Sequence, residues 1–151
     1  MTSPWSRWRD RRNCDGHPTP KGDQAPVYEV YVAAHFEAAH RLVGDFGPAT
    51  RTHGHTYRME VILRGEHLSD DGTLHDIGEL RPAVEDLAAS LHYRDLSDVP
   101  DLAHTNTTAE ALASYCWERL APPLRGQNLD SLTVRIWESP QVYAAREDSL
   151  A

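Results

Sequence analysis

The segment RTHGHTYRMEVILRG contains two histidines, His53 and His55, that are separated by one glycine. The alternating run that follows them is typical of a strand with one buried face. Because successive strand residues point to opposite faces, the two imidazoles share a face and lie about 7 Å apart along it. A third histidine, His40, ends the preceding segment FEAAH. Neighbouring antiparallel strands lie about 5 Å apart, so His40 is the candidate for a third ligand of one small cation.

Three histidine ligands would leave the fourth position of a zinc ion open, as in catalytic zinc sites. Such a metal polarises a carbonyl or hydroxyl oxygen, or lowers the pKa of a bound hydroxyl. The alternative is that the histidine pair binds nothing, since the pattern His-x-His is common on protein surfaces. Four further histidines of the domain have no partner pattern and are expected to be surface or core residues: His35, His67, His75 and His104.

The elements that must position these histidines follow from hydrophobic periodicity. We predict strands at 27–40, 53–65 and 131–139 with a short last strand, and helices at 76–92 and 107–121. The loop 44–52, punctuated by Gly and Pro, joins the first two strands. Because strands and helices are segregated along the chain, the predicted class is α+β, with both helices on one face of an antiparallel sheet.

Charge and composition indicate one acidic domain behind a polar tail. The 151 residues carry a net charge of −8; residues 1–26 hold five basic and three acidic residues, so the rest carries −10. An acidic domain is a poor nucleic-acid binder, and no apolar run approaches the ~20 residues of a membrane span. We predict a disordered tail at 1–26 and the domain at 27–151. The segment RWRDRR of this tail is either solvated or touches an anionic surface.

Cysteine and lysine usage limits the chemistry further. Cys14 and Cys116 are too few for a disulfide framework, which fits the reducing cytoplasm. The only lysine is Lys21, in the tail, and this excludes Schiff-base chemistry by a lysine of the domain.

The segments FEAAHRL, HGHTYRMEVILRG, GTLHDIGEL, SDVPDLAHTNTTAE and IWESP occur in this order. Together they resemble the 6-pyruvoyltetrahydropterin synthase / 6-carboxytetrahydropterin synthase family over residues 27–146. The resemblance implies the T-fold, with a four-stranded antiparallel sheet and two helices packed on one face. It also implies a homo-oligomer, a trimer or a hexamer of two trimers, whose active sites lie at subunit interfaces.

The family resemblance also assigns ligands. It implies Zn²⁺ bound by His40, His53 and His55, and a dihydropterin substrate with a hydroxylated triphosphate side chain. The family's late glutamate, which anchors the pterin, matches Glu138. A carboxylate can accept two parallel N–H bonds from the 2-amino group and ring N–H of a pterin. Glu138 extends the apolar face of the last predicted strand, and an inward carboxylate is costly without a partner.

A second segment that contacts the pterin in the family matches Thr107, Thr108 and Glu110. The alternative reading for this segment is a helix start, because Thr107 and Glu110 have the spacing of a capping box.

The sequence departs from the family where protons are transferred. The family's basic cysteine belongs four residues before His53, where this chain has Ala49, and the family's Asp-His pair matches His92 and Tyr93. General acid and base groups each accelerate a reaction roughly 100- to 10,000-fold. Because this chain lacks the family's groups, the standard 6-pyruvoyltetrahydropterin synthase reaction is not expected. His92 and Tyr93 are candidates for a substitute dyad, and Asp45 is a candidate base in the loop. The alternative is structural: a histidine favoured by the helix dipole and a packed tyrosine.

These observations predict a cytoplasmic, zinc-dependent lyase or cyclase that acts on a small molecule, either a pterin or a pterin-like oxygenated substrate. Neither nucleic acid nor membrane is an expected partner. Two alternatives stay open. In the first, the scaffold is repurposed as a cyclase for a non-pterin intermediate of natural-product biosynthesis. In the second, the chain is a non-catalytic pterin-binding relative.

Overall fold

The computed structural model describes residues 25–151, so the tail predicted for 1–26 lies almost entirely outside the described residues. The helices and strands follow one another in the order β1 (Tyr28–His40), β2 (His53–Gly65), α1 (Ile77–Leu91), β3 (Arg94–Asp95), α2 (Ala109–Leu124), β4 (Ser131–Ser139) and β5 (Val142–Ser149). Within the described range, no helix is long and apolar enough to cross a membrane.

The sheet has five strands in the order β3-β1-β2-β4-β5. The four predicted strands are β1, β2, β4 and β5, and they pair antiparallel. The prediction of a four-stranded, purely antiparallel sheet is wrong, because β3 adds a strand parallel to β1. The two residues of β3 are too few to show the alternation of apolar and polar side chains by which a strand is predicted from sequence. They reach β1 because Tyr93, with a φ of 55°, turns the chain and donates its backbone N–H to the Glu37 carbonyl at 2.7 Å.

The core lies between one face of the sheet and the two helices, as predicted. α1 packs against β1, and α2 packs against β4 and β5. The sheet contributes alternate residues that are all buried: Phe36, Tyr57, Met59, Val61, Leu63, Leu132, Val134 and Ile136. The apolar stripe predicted for α1 is buried against them: Leu80, Val84, Leu87, Ala88 and Leu91. The helix-facing side of β1 and β2 therefore runs from hydrophobic core at one end to the three histidines at the other.

Strand register brings the histidines together. In the antiparallel pairing of β1 and β2, His40 lies opposite His53, and Ala38 lies opposite His55. The next residue of this face on β2, Tyr57, lies opposite Phe36. Because the side chain opposite His55 is only a methyl group, space remains for three imidazoles at this end of the sheet.

A hydrogen bond from Trp117 anchors α2 to the sheet, because the buried indole N–H donates to the Leu132 carbonyl at 2.9 Å. We expect Trp117→Phe to lower the free energy of unfolding by about 1–3 kcal/mol, since a buried carbonyl loses its donor. Trp137→Phe is the matched control, because the Trp137 indole N–H has no partner within residues 25–151. Urea unfolding of both variants measures the difference, and equal losses would contradict the anchoring role.

Candidate metal centre and ligand pocket

Three histidines converge at the end of β1 and the start of β2. Each of His40, His53 and His55 offers one ring nitrogen, and these nitrogens all lie within 4.8 Å of one another. The His40 ring centroid lies 4.4 Å from that of His53 and 5.2 Å from that of His55. This spacing suits three ligands of a single ion, and the rings are tilted towards one another rather than stacked.

Backbone carbonyls fix the orientation of two of the rings. His40 Nδ1 lies 2.7 Å from the Thr107 carbonyl, and His53 Nδ1 lies 2.8 Å from the Arg51 carbonyl. Because a carbonyl oxygen only accepts, each Nδ1 carries the proton and each Nε2 keeps a free lone pair. Metal-bound histidines are commonly oriented by a hydrogen bond of this kind.

The free nitrogens are unsatisfied in a way that fits a metal. The Nε2 atoms of His40 and His55 are buried and have no hydrogen-bond partner in the described part of the chain. Burial lowers the pKa of His40, although the Thr107 carbonyl works in the opposite direction. His40 is therefore neutral at neutral pH, which is the form of imidazole that binds a metal. Nitrogen donors of this type suit zinc among the common divalent ions.

Glu138 lies beside the histidines on the neighbouring strand. Its Oε1 is 4.0 Å from His40 Nε2, and its side chain is 24% exposed. An irregularity in the β4–β5 pairing between Trp137 and Ser139 occurs at this residue. A carboxylate that is partly open to solvent and close to the proposed metal ligands is placed to accept hydrogen bonds from a bound molecule.

Tyr57 was not predicted to belong to the site, although the alternation of the HGHTY segment places it on the same face as the histidines. Its side chain is completely buried, and its hydroxyl oxygen has no partner among the described residues. Burial raises the pKa of Tyr57, and the charge of Glu138 raises it further. Both effects keep the hydroxyl protonated, so it is a hydrogen-bond donor.

The segment before α2 supports the histidines mainly through its backbone. Thr107 is buried, and its carbonyl holds His40. Asn106 makes two bonds to Val43: its Oδ1 accepts from the backbone N–H at 2.7 Å, and its Nδ2 donates to the carbonyl at 2.9 Å. This two-point clamp, which was not predicted from the sequence, ties the chain after His40 to the start of α2.

The capping reading of this segment is wrong by one residue. The N-cap of α2 is Thr108, whose hydroxyl accepts from the Ala111 N–H at 3.2 Å. Thr107 does not cap the helix, because its hydroxyl donates instead to the Arg41 carbonyl at 3.5 Å. Glu110 is exposed in the first turn of α2.

His92 and Tyr93 lie at the β1 edge of the sheet, between α1 and β3. His92 Nδ1 accepts a hydrogen bond from the Glu37 backbone N–H at 3.0 Å, and His92 Nε2 lies 3.7 Å from Glu37 Oε2. An N–H only donates, so His92 Nδ1 carries no proton while this bond is made. Tyr93 is 81% exposed, and it borders a cleft of about 530 Å³ with Glu37 and His55.

The loop where the family cysteine is expected offers no thiol. Ala49 lies in a short 3-10 turn, Gly47–Thr50, and Asp45 is exposed just before it. Asp45 forms no hydrogen bond or ion pair with any residue of the described range. Cys116 is buried in α2, and burial raises the pKa of its thiol to about 12, so it supplies no thiolate at neutral pH.

Comparison with known proteins identifies the family of this chain. The family model for 6-pyruvoyl tetrahydropterin synthase matches residues 29–148. The chain is 32% identical over 102 residues to 6-pyruvoyl tetrahydrobiopterin synthase of Dictyostelium discoideum, covering 60% of this chain and 76% of that protein. It is 30% identical over 99 residues to 6-carboxy-5,6,7,8-tetrahydropterin synthase of a Synechocystis strain, covering 62% and 75%.

The structure of 6-pyruvoyl tetrahydropterin synthase from Caenorhabditis elegans is similar, with a TM-score of 0.68 and 26% identity. The similarity covers 82% of this chain and 97% of that one. The matched region contains both helices, the strands that carry the histidines, and Glu138. The chain therefore belongs to the 6-pyruvoyl tetrahydropterin synthase family and has the T-fold.

Proposed function

We propose that this protein is a zinc-dependent lyase or cyclase that acts on a pterin or a pterin-like oxygenated substrate. The observation that carries the proposal is the convergence of three histidine nitrogens within 4.8 Å, with a carboxylate 4.0 Å from one of them. The names of the relatives, which are pterin synthases, support an enzyme with a pterin substrate.

The three histidines hold the ion in this proposal. When bound, zinc supplies Lewis-acid polarisation of a substrate oxygen. The carbonyls of Thr107 and Arg51 keep His40 and His53 in the orientation that binding requires. Glu138 accepts N–H groups of the substrate ring, which is a charge-assisted contact and is strongest when bidentate. Thr107, Thr108 and Glu110, at the start of α2, are further proposed substrate contacts.

Proton transfer is assigned to residues outside the histidine cluster. Tyr93 is the better placed of the proposed dyad, because its exposed side chain borders the cleft that His55 also borders. His92 Nδ1 is engaged by the Glu37 N–H, so its free proton site is Nε2. Asp45 is the third candidate, and the exposed loop that carries it would have to move towards the histidines.

A homo-oligomer, either a trimer or a hexamer, completes the proposal. Within residues 25–151, β5 pairs on one side only, and β3 covers just two residues of β1. Open strand edges are templates for pairing with another chain. A subunit interface at the β1 edge would lie next to His92 and Tyr93, which supports active sites shared between subunits.

A second candidate is a cyclase for a non-pterin intermediate. Ala49 in place of a base, together with the replacement of the Asp-His pair, favours a change of chemistry on a kept metal site. If the replaced groups move no protons at all, the chain is instead a non-catalytic pterin-binding relative.

Metal content tests the proposed ligands. We expect the purified wild-type protein to hold about one zinc per chain, and His53→Ala combined with His55→Ala to lose it, because one ligand remains. His35→Ala is the matched control, since His35 is exposed on the opposite face of β1. Elemental analysis after dialysis measures the zinc, and full retention by the double variant would exclude the site.

Dihydroneopterin triphosphate tests the substrate. We expect wild-type protein to bind it and Glu138→Gln to weaken binding about 10-fold or more, because an amide has one acceptor oxygen and cannot receive two parallel N–H groups side by side. Titration by ligand fluorescence measures binding, and chromatography of the products measures turnover. Binding without turnover supports the non-catalytic relative. If the protein does not turn over dihydroneopterin triphosphate and does not bind it in a way that depends on Glu138, the pterin substrate is excluded and the non-pterin cyclase is favoured.

The proposed dyad requires a variant that separates structure from proton transfer. We expect Tyr93→Phe and His92→Asn to slow turnover of the accepted substrate by roughly 100-fold or more. The asparagine side-chain oxygen can still accept from the Glu37 N–H, so it keeps the structural contact but cannot transfer a proton at neutral pH. Steady-state rates are measured, with unfolding midpoints as the check on folding. Full rates in both variants would show that the dyad is not the acid–base pair.

A further inference from the structure

Tyr57 carries a buried hydroxyl that the proposed function does not use. Its side chain is 0% exposed, and the hydroxyl has no hydrogen-bond partner in the part of the chain that the structure describes. A buried polar group without a partner costs free energy. A phenylalanine would fill the same space without this cost, as Phe36 does on the facing strand. We therefore expect the hydroxyl to gain a hydrogen-bond partner when the site binds its ligands.

The ring of Tyr57 is held in one orientation. It stacks on Phe36, with 5.1 Å between ring centroids and 16° between planes. Its remaining neighbours include His55 at 5.2 Å and His40 at 6.1 Å, which meet it at steep angles. Phe36 and His40 belong to β1, so these contacts occupy the β1 side of the ring, and the neighbouring strand on its other side is β4.

Glu138 is the group on that side. The β2–β4 pairing ends with Arg58 opposite Trp137, and one further step in the same register leads to Tyr57 and Glu138. The two groups are close enough for the charge of Glu138 to raise the pKa of Tyr57. The contact of the Glu138 carboxylate with His40 Nε2 is 4.0 Å long, which is beyond hydrogen-bond distance. The carboxylate is therefore close to a free donor and is not held firmly by its present neighbour.

A carboxylate that receives two parallel N–H groups must be held in the plane of those groups. We propose that Tyr57 is the positioning residue for Glu138: its hydroxyl donates a hydrogen bond to the carboxylate and fixes that plane. This inference rests on the proposed ligand role of Glu138. The carboxylate reaches Tyr57 by turning away from His40, whose Nε2 is a ligand position of the proposed metal site. One hydrogen bond then satisfies the buried hydroxyl and orients the anchor.

A double-mutant cycle tests this on the zinc-loaded, full-length protein. The four proteins are wild type, Tyr57→Phe, Glu138→Gln and the double variant, and the probe is 7,8-dihydroneopterin. We expect Tyr57→Phe to weaken binding of this probe about 10-fold in the wild-type background and less than about twofold in the Glu138→Gln background, because the two residues act as one unit. Zinc content should not change. Tyr115→Phe, which removes a half-buried hydroxyl on α2, should leave binding unchanged.

Each other result has one meaning. Equal weakening in both backgrounds would show that Tyr57 acts independently of Glu138, and no weakening in the wild-type background would show that it does not position the anchor. If wild type does not bind the probe, the proposed pterin function fails, and the unfolding midpoints of the same four zinc-loaded proteins decide the inference. Non-additive shifts in the midpoints support the hydrogen bond, whereas additive shifts overturn it.

Discussion

The register of the β1–β2 pair is the constraint on which the site depends. It places His40 opposite His53, and Ala38 opposite His55, so that three imidazoles converge within a few ångströms. A shift of one residue would send the side chains of one strand to the opposite face of the sheet. The long pairing of these two strands, backed by buried core residues from Phe36 onwards, excludes such a shift. The hydrophobic core thus sets the geometry of a polar site at its edge.

The site is assembled from polar groups that are costly to bury. His40 and Tyr57 are almost fully buried, and the free ring nitrogen of one and the hydroxyl of the other lack partners among the described residues. Apolar residues at these positions would avoid the penalty. Backbone carbonyls already satisfy the second nitrogen of His40 and of His53. The unsatisfied nitrogens of His40 and His55 belong to the histidine cluster, which is consistent with a site completed by a ligand.

The elements that carry the proposed metal ligands and the substrate anchor differ from those that carry the proposed proton-transfer residues. The histidines and Glu138 lie on paired strands of one rigid sheet, whereas His92, Tyr93 and Asp45 lie on connecting segments. The cysteine position is occupied by Ala49, and Cys116 is held as an unreactive thiol in the core. This division fits the proposed function, in which the strands hold the metal and the proton-transfer groups differ, since loops tolerate substitution more readily than strands do.

The sequence by itself determined the fold class, the two-helix layer, the four antiparallel strands and the shared face of His53 and His55, because these follow from periodicity along the chain. Only the tertiary structure decided the fifth strand, the N-cap at Thr108 and the engagement of His92 by Glu37. It also revealed the unpaired hydroxyl of Tyr57. A two-residue strand has no period, and of two adjacent threonines the cap is the one whose hydroxyl is not engaged elsewhere in the fold. Whether a buried group has a partner depends on residues far apart in sequence, which no local pattern records.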